Sequence, residues 1–156
     1  MNILTERITR HPAFRDMKPG HLDILAHHAK ETAFETGQVL FVEGGPADRL
    51  YLVESGRVAL EACEPVGEPT LVQIVGAGEL LGWSWLFPPF AWHFQGRAIE
   101  PTRAIALSGA HLLIAAERDH EFGYELMKRV AKVVISRLQA TRKQMTASQE
   151  ESAAWK

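Results

Sequence analysis

The chain of 156 residues has a single cysteine, Cys63. One thiol cannot close an intrachain disulfide, and it cannot supply a four-thiolate zinc site or a cysteine-ligated iron–sulfur cluster. A reducing compartment is the expectation. Long apolar runs are also lacking. The N-terminal MNILTERITRH has no apolar core of a secretory leader, and no window approaches the roughly 20 apolar residues of a membrane span. The sequence therefore predicts a cytoplasmic protein without a membrane partner. Charge of one sign is missing too: 17 basic and 19 acidic side chains leave a net charge of −2, so no overall cationic field favours nucleic acid.

Catalytic patterns are equally scarce. No His-x-His pair, Gly-x-Ser-x-Gly elbow or phosphate loop ending in Gly-Lys-Ser/Thr occurs, which removes the usual signatures of cupin metal sites, serine hydrolases and nucleotide hydrolases. Among the seven histidines, His27 and His28 are neighbours that diverge by about 100° on a helix and chelate one ion poorly. His11, His21, His111 and His120 stand near the ends of helical stretches. No nucleophile has a credible base. The expectation is a protein that is not an enzyme, with no catalytic residues and no metal site.

What is present is an ordinary globular balance, 46% hydrophobic and 23% charged, enough for one domain with a core. Ile3, Leu4 and Ile8, then Leu22, Leu25 and Ala26 recur at helical spacing, with a break at Lys18-Pro19-Gly20, and predict an N-terminal helical segment over 1–30. Over 31–110 the period falls towards two. Val39–Val42, Leu50–Val53, Arg57–Leu60, Thr70–Val75 and Thr102–Leu107 are short runs separated by Gly37, Gly44-Gly45, Gly56, Gly67 and Gly76/Gly78. Many short strands with glycine corners predict a mainly β double-stranded β-helix, or jelly roll, with flanking helices.

Helical spacing returns over 111–149, as a short helix at His111–Ala116 and a long one from Glu121, followed by a tail, 150–156. Along the long helix Leu126, Val130, Val133, Val134, Arg137, Leu138, Thr141 and Met145 form a seam near the 3.5-residue period of paired helices. A helix packed only on its own barrel is the plain alternative. The seam outlasts what one small barrel covers, so a homodimer through these residues is expected.

The order of elements, together with Gly37, Gly45, Gly56 and the phrase Leu50-Tyr-Leu-Val53…Ser55-Gly-Arg-Val58, closely resembles the cyclic-nucleotide-binding domain of the catabolite-activator/Fnr superfamily. The likeness covers about residues 10–145. It implies a phosphate-binding cassette that opens Gly-Glu-Leu, matched here by Gly78-Glu79-Leu80 with Leu81 behind, within a segment 78–94. The glutamate would take a ribose hydroxyl and the helix-start amides a cyclic phosphate.

In the second half of the cassette the family places an arginine, a serine or threonine, and an alanine. Counting back from Gly96-Arg97-Ala98 puts Trp92, His93 and Phe94 there. The arginine is missing, the span from Glu79 looks about three residues too long, and the segment carries three of the chain's four tryptophans.

The resemblance implies a regulatory module that signals ligand occupancy through its C-terminal helix to a partner protein. Cyclic AMP or cyclic GMP would be its ligand, with His93 or Arg97 at the phosphate and Thr141 at the base across the dimer. The alternatives are a ligand-free interaction subunit with an aromatic-filled pocket, or a haem sensor with His93 as axial ligand. Relatives that read DNA continue into a helix-turn-helix module. This sequence stops shortly after its long helix, and DNA binding by the chain alone is not expected.

Overall fold

A computed structural model describes residues 3–63 and 65–154. Among these residues eight strands form two four-stranded antiparallel sheets. In chain order they are β1 (Lys30–Phe34), β2 (Val39–Phe41), β3 (Arg49–Ser55), β4 (Arg57–Ala62), β5 (Thr70–Gly76), β6 (Leu80–Leu81), β7 (Gln95–Ala98) and β8 (Thr102–Ser108). One sheet runs β1-β8-β3-β6 and the other β2-β7-β4-β5. This is the expected jelly roll, with helices α1 (Ile3–Arg10) and α2 (Pro19–His27) before it and α3 (Gly109–Arg118) and α4 (His120–Ala154) after it.

The helix ends have local causes. Pro19 is the first residue of α2, where its fixed φ suits a helix start and its missing N–H is no loss. The break between α1 and α2 spans 11–18 and holds a 3-10 turn, Pro12–Phe14, so it reaches Lys18 as expected while Pro19 and Gly20 are already helical. Asp119 separates the last two helices by capping α4, its Oδ1 accepting from Phe122 N at 3.1 Å. From there α4 runs through the expected end at 149 to Ala154; residues 155–156 of the predicted tail lie outside the described residues.

Strand β3 explains why its run is apolar on both sides. Leu50 and Leu52 point to the helices, where they join Ile8, Phe14, Leu25, Trp85, Ile105, Phe122 and Leu126. The alternate residues Tyr51 and Val53 point between the sheets, towards Val58, Leu60, Val75, Leu81 and Trp92. The sheet thus separates two cores, each a layer buried on one face.

That division corrects part of the dimer seam. Leu126 and Val130 are already buried in the chain's own helix-side core, and Val133 packs against it. Helix α4 turns this stretch inward because α3 and the sheet lie beneath it. Val134, Leu138 and Met145 stay exposed, and Thr141 is half-buried.

Candidate functional site

The segment 78–94 begins with a turn and not with a helix. Gly78 N donates to Val53 O at 2.9 Å and Glu79 N to Gly76 O at 3.2 Å, so neither amide is free for an anion. The exposed Glu79 carboxylate caps the same turn, Oε1 accepting from Gly76 N at 3.0 Å. Strand β6 follows, and the short 3-10 helix comes only at Ser84–Leu86. The residues that open this helix are Gly82 and Trp83. Glu79, expected to take a ribose hydroxyl, thus lies before this helix, with its carboxylate bonded within its own turn. The glycine that matters is then Gly82, with φ of 101°. A Cβ on it would lie 2.8 Å from the Trp92 ring and 3.0 Å from Arg49 O, so only glycine admits the indole here.

The three tryptophans of the segment face three ways. Trp85, 1% exposed, enters the helix-side core and its Nε1 donates to Gly82 O at 3.0 Å. Trp92 enters the space between the sheets and stacks on Phe41 with ring centroids 3.9 Å apart. Trp83 lies beneath Arg137, whose guanidinium carbon is 4.4 Å from the ring centroid, a cation–π arrangement.

The apolar period assigns Arg137 to the dimer seam. Instead it leaves α4 for the barrel and donates through Nη2 to Leu80 O at 2.8 Å. Burial pushes its pKa down to about 10, while the charge of Glu79 acts the other way. Together Phe41, Leu60, Leu81, Trp83, Trp92 and Arg137 leave a shallow space of about 20 Å³. That is room for little more than a water molecule, whereas small-ligand sites take hundreds of cubic ångströms.

The other residues singled out from sequence disperse. Leu81 is in the core between the sheets. His93 is exposed, with Nδ1 2.9 Å from Ser84 Oγ, on the rim of an outer groove of about 610 Å³ whose walls include Trp83, Phe87, Met127, Val130 and Val134. Arg97 is placed away from any ligand in the interior. Its strand partner is Ala59, while the adjacent pairs Leu60–Gly96 and Val58–Ala98 face the core, so strand alternation turns Arg97 to the opposite side. There it forms a two-pronged pair with Glu61, Nε at 3.0 Å and Nη2 at 2.9 Å, and this pairing holds the Glu61 carboxyl below its ordinary range. Thr141 lies one helical turn beyond Arg137.

With eight strands in this order, the filled interior and the adjoining long helix, comparison with known proteins is direct. The family model described as the cyclic nucleotide-binding domain matches residues 31–119. The chain belongs to this family. A solved putative cyclic nucleotide-binding protein from Geobacter metallireducens is 31% identical, with a TM-score of 0.78 over 88% of this chain and 99% of that one. A cyclic nucleotide-binding domain from Methylobacillus flagellatus has a TM-score of 0.79 over 92% of this chain and 83% of that one at 20% identity, a likeness of fold. A CRP-like cAMP-activated global transcriptional regulator of Mycobacterium tuberculosis is 28% identical over 104 residues, 67% of this chain and 46% of the relative. The chain thus spans about half the length of the curated relatives it matches.

Within this cyclic nucleotide-binding fold, sequence reasoning missed Phe41, Gly82 and the inward turn of Arg137. One signal for the last was available. An arginine in an apolar seam is costly unless it has a partner off the helix axis.

Proposed function

We propose that this domain is a non-catalytic regulatory module of the cytoplasm, in which Trp92 occupies the place a nucleotide takes and α4 carries the state of the segment 78–94 to a partner protein. The observation that carries the reading is Arg137. It comes from α4, yet it holds the carbonyl of Leu80 and covers Trp83, and it borders the same small space as Trp92. Any change at Trp92 therefore alters what the helix is fastened to, and a partner that prefers one helix orientation shifts the population towards it.

Cyclic AMP and cyclic GMP at about 1 mM are expected to leave both the melting temperature and the tryptophan emission of the wild-type protein unchanged. A ligand at about 100 times its dissociation constant would add roughly 2.7 kcal/mol, and for a domain of this size that is a rise of several degrees. Such a rise would favour the second reading, in which a nucleotide enters by displacing Trp92. What supports that alternative is the stack itself: a flat ring already lies 3.9 Å from Phe41, as a purine could.

The partner-reading helix would also pair with its own copy. Val134 and Leu138, exposed at 37% and 68%, are four residues apart on one face and continue the apolar wall of the outer groove formed by Phe87, Met127 and Val134. Leu138→Asp is expected to give monomers in sedimentation equilibrium with an unchanged circular dichroism spectrum; persistent dimers would place the interface elsewhere.

A further inference from the structure

His11 lies outside the segment 78–94, yet it is fastened beside the first turn of that segment. It follows α1 and is 5% exposed, and both of its ring nitrogens are engaged. Ala13 N donates to Nδ1 at 3.2 Å, so Nδ1 carries the lone pair and the ring hydrogen sits on Nε2, which donates to Val53 O at 3.0 Å. The neutral ring therefore caps the 3-10 turn Pro12–Phe14 with one nitrogen and ties it to β3 with the other.

The Val53 carbonyl has a second donor. Gly78 N reaches it at 2.9 Å, so one acceptor joins the end of α1 to the start of the segment. Pro12 covers the junction: a Cβ on Gly78 would lie 3.2 Å from Pro12 Cγ. Phe14, 1% exposed in the helix-side core, fixes the far end of the turn. Pro12 is exposed and Ala13 half-buried, and their position depends on the cap.

We infer that His11 is a proton-operated latch: a proton on Nδ1 turns the acceptor into a donor facing the Ala13 N–H, so Pro12 swings off Gly78 while Nε2 stays bonded to Val53 O. Burial holds the pKa of His11 below its ordinary 6.5, against the pull of the Val53 carbonyl and of Glu54. A histidine depressed in this way contributes stability that is present above the ordinary value and lost as pH falls through the folded one. The latch is shut at neutral pH and opens with acid.

The charges around the ring are engaged elsewhere. Glu54 follows Val53 in β3 but is paired with Arg7 of α1, and Arg103 of β8 also acts on it. Arg7 in turn meets Glu31 of β1. Arg10 precedes the ring, Arg15 and Asp16 follow the turn, and Glu79 is bonded to Gly76 N. Among the described residues no carboxylate is within ion-pair distance of His11. The latch acts on the segment itself and stands whether or not α4 informs a partner.

Proton and nitrogen NMR of the whole chain from about pH 8 to about pH 5 tests it. The His11 ring is expected to show the Nε2–H tautomer at the upper end and to titrate below the ordinary histidine value. In step with that titration, contacts between Pro12 and Gly78 protons should vanish and the exchange protection of Ala13 N should fall roughly tenfold, while the amides of Leu52 and Ile105 keep theirs. His11→Asn, whose carboxamide can cap Ala13 N but does not titrate, should hold Pro12 on Gly78 throughout; the wild-type titration decides alone if that variant folds poorly. The inference is overturned if the ring is the Nδ1–H tautomer, if His11 stays neutral until the whole fold is lost, if the Pro12–Gly78 contacts outlast its titration, or if His11→Asn shows the same acid release.

Discussion

Trp92→Ala is expected to cost roughly 3–5 kcal/mol of stability and to open a cavity between the sheets. The indole is 6% exposed, stacks on Phe41 and lies across Gly82. Nothing nearby can move in to replace it, since Phe41 is held in β2 and Leu60 and Leu81 are strand residues of the same core. Apart from Arg137 the lining is mostly apolar and would accept an apolar guest of the lost shape. Free indole should therefore raise the melting temperature of the variant and leave the wild type unchanged. Cyclic AMP should rescue far less, because the space left by one indole is smaller than a nucleotide site of hundreds of cubic ångströms. A loss below about 1 kcal/mol in urea unfolding, a value ordinary for surface changes, would show that Trp92 does not fill this space.

Trp85→Ala is expected to be as damaging with a different signature. Trp85 is 1% exposed in the helix-side core, and its Cβ lies where a Cβ on Gly109 would come within 2.6 Å. Truncation leaves a cavity worth roughly 3–5 kcal/mol and strips the Gly82 carbonyl of its indole N–H, roughly 1 kcal/mol more. Against a total stability of about 5–15 kcal/mol the variant sits close to unfolding. Hydrogen exchange should show α3 losing protection first, since Gly109 begins that helix directly against the indole. Uniform protection in α3, together with a small stability loss, would defeat the prediction.

These two tryptophans, seven positions apart in one aromatic stretch, show where sequence reading succeeds and where it stops. In β3 the alternation Leu50, Tyr51, Leu52, Val53 assigns each side chain a face from residue order alone, because the strand period is two. The segment after β6 has no such period. It passes through a positive-φ glycine, a 3-10 turn and two prolines, so the direction of each side chain depends on local turns and on what lies opposite. The jelly roll and its flanking helices were therefore legible, and the separation of Trp83, Trp85 and Trp92 into three environments was not.

The bonding of the Gly78 turn was illegible for a related reason. Gly78-Glu79-Leu80 carries the expected letters, but letters do not show that Gly78 N and Glu79 N already serve Val53 and Gly76. The α4 seam was legible as a period of apolar residues. Its division was not, because Leu126 and Leu138 look alike in sequence while one shares a core with Phe122 and Trp85 and the other meets solvent.

Strand β6 is only two residues long. Leu80 is anchored among the helices and Leu81 between the sheets, so the plane joining them cannot turn without pulling a leucine out of one core or the other. The carbonyl of Leu80 grips Arg137, and its bearing is thus set by the volumes of two separate interiors. A methylene gained or lost in either core would therefore bear on the carbonyl that holds Arg137.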